Sequence, residues 1–199
     1  MSFSPLTKKL IDSLTCLPGV GPKSAQRMAL HLLDRDREGA TELALTLQTA
    51  LDKIGRCQRC RNFSEEPVCT TCNQANRDPS LLCVVEGPAD VIAIDQSGTY
   101  RGFYFLLLGN LSPIDGIGPE EIGADVLAKR LAEGEVKELI IATGTTVEGE
   151  ATAHYLSEMA QNYGVTASRI AHGVPMGGDL EYVDSNTLSL ALQGRKVIQ

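Results

Sequence analysis

LLCVVEG (81–87), FYFLLLG (103–109) and ELIIATG (138–144) are three short apolar runs, and each ends on a glycine. They are rich in Val, Ile, Leu and aromatic residues and lack the apolar–polar alternation of a strand with one wet face. That pattern predicts strands buried on both faces of a parallel sheet. Helical patterns lie between and after them, at about 88–95, 120–133 and 150–162. Strands alternating with helices define an α/β domain, in which functional groups gather at the carboxyl ends of the strands.

Upstream of this domain the pattern changes. NRDPS at 76–80 reads as a turn or linker, and a cluster of cysteines fills 57–72. Further towards the N-terminus the spacing is helical. Residues 4–15 place Leu6, Leu10, Ile11 and Leu14 on one face, with Ser4 as N-cap and Pro5 at the first helical position. LPGVGP at 17–22 breaks that helix, Lys23 to Leu33 starts another, and Gly39 precedes a third that runs to about Ile54. There is no internal repeat, coiled coil or low-complexity tract.

The chain of 199 residues is 43% apolar and 22% charged, which fits a soluble globular protein with a sizeable core. No apolar run reaches the roughly 18–20 residues of a membrane span. MSFSPLTKKL has no apolar stretch after its lysines and does not read as a secretory signal. Together these predict a cytoplasmic protein whose cysteines are reduced or bind metal. The net charge of −7 argues against nucleic acid until its distribution is considered. Residues 1–62 carry ten Lys/Arg against six Asp/Glu, and the remainder carries eight against nineteen. Such asymmetry predicts a basic region that meets phosphates, because counterion release rewards a local cluster. A solvated acidic surface explains the other half equally well.

Cys57, Cys60, Cys69 and Cys72 have the spacing C-x2-C-x8-C-x2-C. Each CxxC turn aims two thiolates at one point, and the spacer lets the second turn complete a tetrahedron. Four thiolates with no open position suit one structural zinc ion, with an iron–sulfur cluster as the competing reading. A stretch this short cannot bury a core of its own, so zinc is expected to stiffen a joint between its neighbours. Cys16 and Cys83 read as small buried hydrophobes.

LPGVGPKSAQR at 17–27 resembles the helix–hairpin–helix motif of proteins that bind DNA without reading its sequence. Gly19 and Gly21 allow a tight turn and close approach to a phosphate, and Lys23 and Arg27 share one helix face. The competing reading is a plain glycine turn between packed helices. His31 reads as an ordinary, partly buried histidine.

VVEGPADV at 84–91 resembles the first motif of the Toprim domain of topoisomerases, primases and some nucleases. The second motif of that family carries an Asp-x-Asp pair. Alignment on the EGE of IIATGTTVEGEATAHYL (140–156) puts Gly144 and Thr146 at those two positions. Phosphoryl chemistry on Mg²⁺ needs several convergent carboxylates, and two are missing. Glu86, Asp90, Glu148 and Glu150 remain. They read either as a weak acidic site for Mg²⁺ or as structural groups, with Glu148 and Glu150 at a helix N-terminus and Glu86 meeting a partner's arginine.

Taken with GVPMGGDLEYVDSNTLSLALQGR at 173–195, this order of motifs resembles the bacterial recombination-repair family RecR over essentially the whole chain. The resemblance implies a multi-part α+β protein. Its parts are a helical DNA-binding region (1–55), a four-cysteine zinc finger (56–76), a Toprim α/β domain with a mainly parallel sheet (79–174) and a C-terminal segment for subunit contact (175–199). It further implies a nucleoid-associated recombination mediator, without catalytic residues, that binds single- and double-stranded DNA. Such a mediator acts with RecO and RecF to load RecA onto gapped DNA coated with single-strand-binding protein. Family members form homo-oligomers, dimers or ring-like tetramers, in which several weak hairpins act together. No GxxxxGK[ST] loop is present, which argues against ATP hydrolysis by this chain alone. Two other classes compete: a Mg²⁺-dependent Toprim nuclease or primase using Glu86 and Glu148, and a zinc-ribbon transcription or translation factor. The second leaves the Toprim-like strands unexplained.

Overall fold

The computed structural model describes residues 3–171 and 173–195. The chain divides between Ile54 and Gly55 into two compact units. The first holds three helices: α1 (Pro5–Leu14), α2 (Pro22–Asp34) and α3 (Arg37–Lys53). Ser4 caps α1 by accepting the Thr7 N–H, with Pro5 behind it, as the sequence predicts. Gly39 does not precede α3 but lies inside its first turn. Asp36 is the N-cap and accepts the Gly39 N–H at 2.9 Å. Its carboxylate lies 2.3 Å from where a Cβ on residue 39 would stand, so a larger residue there would require the Asp36 side chain to shift. Among the described residues of this unit, only Ala25 and Ala29 are fully buried.

The second unit begins with a short antiparallel ribbon, β1 (Gly55–Arg56) with β2 (Phe63–Ser64). A four-stranded sheet follows, formed by β3 (Asp78–Val85), β4 (Gly102–Leu106), β5 (Glu138–Ala142) and β6 (Thr166–Arg169). Its order is β4-β3-β5-β6, and every pairing is parallel. Helices α4 (Pro88–Gln96), α5 (Ala124–Ala132) and α6 (Val147–Asn162) alternate with the strands, and α7 (Ser185–Gln193) closes the described chain. Leu82, Val84, Phe105, Leu106, Leu139 and Leu156 are completely buried, as expected for strands covered on both faces.

NRDPS is not a linker: β3 begins at Asp78. Pro79 is tolerated there because the β3–β4 register slips between Asp78 and Leu82, where no ladder N–H is required of it. The turn composition is real, but the strand absorbs it as a bulge. Arg77, with its side chain only 8% exposed, fastens this entrance. It donates to the Gly102 carbonyl at 3.0 Å and pairs with Asp95 at 2.6 Å. That hydrogen bond holds the Asp95 carboxyl below its ordinary range.

β4 lies at the edge of the sheet, yet all five of its residues are buried. The cysteine-bearing segment covers it. The Leu106 N–H donates to the Cys60 carbonyl at 2.9 Å. Arg61 donates to the Leu106 and Leu107 carbonyls at 3.0 and 3.2 Å, and also to that of Ile122. In the opposite direction, Arg130 of α5 donates to the Arg59 carbonyl at 2.9 Å and the Tyr104 carbonyl at 3.0 Å. Unpaired edge groups are thus satisfied by one backbone bond and by one terminal nitrogen of each of two guanidinium groups. Burial lowers the basicity of both arginines, which start so far above neutral that they keep their charge.

Arg61 takes a left-handed backbone (φ 66°) to make this reach. Its guanidinium fills the space where a Cβ on Gly123 would stand, 2.1 Å from one terminal nitrogen. Gly134, with φ +78° and open space around it, is the natural comparison. Gly134→Ala should cost about 1–2 kcal/mol of backbone strain alone. Gly123→Ala should cost about 3 kcal/mol or more, since it also expels Arg61 and orphans its carbonyls. Urea denaturation of the two variants checks this, and equal losses would contradict the assignment of Arg61 as the fastening group.

Candidate functional site

The four predicted cysteines converge. Their sulfurs all lie within 4.8 Å of one another, and all four residues are buried. A tetrahedral zinc ion with Zn–S bonds of about 2.3 Å needs sulfurs about 3.8 Å apart, and Cys60 and Cys69 are separated by 3.5 Å. Two turns build the cradle. In the first, the Arg61 N–H donates to the Cys57 carbonyl and the Cys57 N–H to the Asn62 carbonyl; in the second, the Asn73 N–H donates to the Cys69 carbonyl. The Cys69 N–H also points at the Cys57 sulfur, 3.2 Å away.

The chemistry of the donor set agrees with a dication. Burial raises the Cys57 thiol, but N–H groups of Cys69, Cys60 and Arg59 outweigh it and bring it down to about 6. Cys60 is raised by its hydrogen bond with Cys72 and then by burial, and burial pushes Cys69 up to about 11. Four thiolates cannot ionise together here without a cation between them, and zinc supplies that charge. With every ligand from the protein, the zinc has a structural role. Of the other two cysteines, Cys83 is buried and pushed up to about 12, as a core thiol should be. Cys16 is exposed, contrary to expectation, because it lies in the turn after α1 rather than on a packed face.

In the helical unit, Gly19 adopts φ +77° in the turn between α1 and α2. Gly21 is the N-cap of α2 in an extended conformation, without a side chain to cap the helix, and Pro22 follows at the first position. The first N–H groups of α2 are left facing solvent at the positive end of the helix. Lys23 and Arg27 are both exposed, one turn apart. His31 is exposed too, not partly buried, because Ala25 and Ala29 occupy the inward face of α2.

The charge reading needs correction. Of the ten cations in residues 1–62, Arg56, Arg59 and Arg61 belong to the second unit. Arg61 points into its interior, Arg59 pairs with Glu135 at 3.7 Å, and Arg56 stacks 3.9 Å over Phe63. The helical unit itself holds seven Lys/Arg against six Asp/Glu, so its positive charge is a property of one face.

At the carboxyl end of the sheet, the four acidic residues are engaged separately. Glu86, just past β3, accepts the Gly144 N–H at 2.5 Å. Asp90 accepts the Gly87 N–H at 2.8 Å and caps α4. Glu150 pairs with Arg169, whose second terminal nitrogen donates to the Gly144 carbonyl at 3.1 Å. Glu148 is exposed in the first turn of α6, where the helix end favours negative charge. Thr146, at the second vacant aspartate position, caps α6 by accepting the Gly149 N–H at 3.0 Å. Among the described residues, the four cysteines are the one group of three or more ligands placed to share a metal. Arg61, Arg130 and Arg169 escaped sequence reasoning, since nothing in their spacing says which carbonyl or carboxylate they will meet.

The parts together define a multi-part protein of the Toprim class, with a helical hairpin and a four-cysteine zinc finger ahead of the α/β domain. Family models agree segment by segment. The RecR helix-hairpin-helix model matches 7–51, the RecR four-cysteine zinc-finger model 54–73, the Toprim domain model 80–171 and the RecR C-terminal model 173–196. Recombination protein RecR of Saccharophagus degradans is 61% identical over 196 residues, covering 98% of this chain and all of its own. Those of Alcanivorax borkumensis and Methylococcus capsulatus are 58% and 60% identical, covering 98% and 94% of this chain and 98% and 95% of their own. The chain belongs to the RecR family of recombination proteins.

Cys69→Ser should remove one corner of the zinc tetrahedron. Metal analysis of the purified variant should show loss of most bound zinc, with a lower melting temperature for the second unit. Full zinc retention in that variant would contradict a four-cysteine site.

Proposed function

We propose that this protein is a recombination mediator in DNA repair that binds DNA through the α1–α2 hairpin and carries out no chemistry of its own. Its partners on this reading are RecO and RecF, and its task is to help RecA replace single-strand-binding protein on gapped DNA. The observation that carries the non-enzymatic reading is the state of the Toprim carboxylates. Glu86, Asp90 and Glu150 are already bonded to Gly144, Gly87 and Arg169, so three of the four acidic groups are held within the fold. Phosphoryl transfer through Mg²⁺ needs several of them converging on one point. The hairpin, in contrast, presents exposed cations beside uncapped N–H groups, which suits backbone contacts without sequence preference.

Self-assembly into a dimer or tetramer belongs to the same reading. Leu43, Leu47 and Leu51 form an i, i+4, i+8 stripe on α3, and each is more than half exposed. A unit that buries so little gains most by covering such a stripe with a second copy. Several hairpins on one assembly then add their weak contacts to the same DNA. Among the described residues no helix is long and apolar enough to cross a membrane. A place in the cytoplasm, at the nucleoid, belongs to the same reading.

The double substitution Lys23→Ala/Arg27→Ala should weaken DNA binding in fluorescence anisotropy while leaving the thermal melt unchanged. Unaltered affinity would remove the hairpin from the DNA interface. The enzymatic alternative has its own test in plasmid nicking with Mg²⁺. We expect none, and nicking abolished by Glu86→Ala would establish a Toprim enzyme instead.

A further inference from the structure

Side chains on a helix surface form ridges at every fourth residue. The exposed face of α2 is a shallow groove between two of them. One ridge is Gln26, Leu30 and Asp34: an amide, an apolar group and an acid. The other is Lys23, Arg27, His31 and Arg35, where every position carries a nitrogen donor and none carries an acid. A solvated helix face ordinarily interleaves both signs, because like charges four apart destabilise a helix by about 0.2–0.5 kcal/mol per pair. The helix dipole favours cations in the last turn, which accounts for His31 and Arg35 but not for Lys23 at the positive end. Arg35 is only loosely held: its contact with Asp34 is 4.0 Å long, and both side chains are about four-fifths exposed.

We propose that the whole ridge from Lys23 to Arg35 is a rail for one nucleic-acid backbone, extending the hairpin contact by two further turns. The inference rests on the hairpin being the DNA-binding element and assigns that element new residues and a length. Twelve residues at 1.5 Å rise span about 18 Å, the axial length of about five nucleotides of a duplex strand. Arg35 supplies the distal phosphate contact, and His31 donates a hydrogen bond between the two arginines. The facing ridge carries no cation and places Leu30 and Asp34 opposite His31 and Arg35, which confines the backbone to one side of the groove.

Salt titration tests this on the full chain, with a labelled oligothymidine as probe. Each phosphate contact on a single strand contributes about 0.7 to the slope of log affinity against log salt concentration. Arg35→Ala should reduce the slope by about 0.7, and Lys23→Ala/Arg27→Ala by about 1.4. Arg35→Lys should restore the wild-type slope. Lys53→Ala, which removes an exposed cation at the far end of α3, should change nothing and serves as the control. If Arg35→Ala behaves like Lys53→Ala while the Lys23/Arg27 pair still matters, the rail is wrong and the contact ends at the hairpin. If neither the pair nor Arg35 affects the slope, the hairpin reading itself fails.

Discussion

The outer edge of β4 presents backbone groups that no strand pairs, and the rest of the second unit is arranged around how they are satisfied. An exposed edge is both a loss of hydrogen bonds and a template for aggregation. Here the finger supplies the Cys60 carbonyl and the Arg61 guanidinium, and α5 supplies the Arg130 guanidinium. Neither the Cys60 carbonyl nor the Arg61 guanidinium could hold its position if the finger were loose, because a segment of this size has no core of its own. Zinc provides the rigidity that apolar burial cannot, and the four cysteines join one continuous core with Leu106, Leu107 and Leu127. The metal acts less as a joint between neighbours than as a clamp on a sheet edge.

The same economy governs the carboxyl end of the sheet. Glu86 and Glu150 are taken up in bonds that position Gly144 and the start of α6. Gly149 shows how closely the parts fit, since a Cβ there would lie 2.2 Å from the Gly144 carbonyl oxygen. Gly144 receives Glu86 at its backbone N–H, and Thr146 caps the helix with its hydroxyl. The exposed cations of α2 lie on one face, so a local positive surface exists on a strongly acidic chain.

Much of this was legible in the residues. Continuous apolar runs announced the parallel strands, Ser4–Pro5 announced α1, and the cysteine spacing announced the metal site. Each is a local signal, set by periodicity, capping or ligand geometry within a few residues. Signals that depend on distant partners were misread or missed. Pro79 looked like a linker because the bulge that admits it is created by β4. His31 looked half-buried because only the packing of Ala25 and Ala29 shows which face of α2 turns inward. The short strand β6, four residues without a strong apolar pattern, is defined by its pairing with β5. Arg56, Arg59 and Arg61 count towards the basic region because a charge count does not record which cations the fold engages with its own carbonyls, carboxylates and rings.

That zinc holds the edge of the sheet is most directly tested by hydrogen exchange on the intact protein before and after chelation. Stripping zinc should release amide protection not only across the finger, residues 55–73, but also in β4 and in α5, which carries Arg130. Helices α1 to α3 should exchange as before. Protection lost from the finger alone, with β4 and α5 unchanged, would show that the sheet edge stands without the metal and would contradict the clamp.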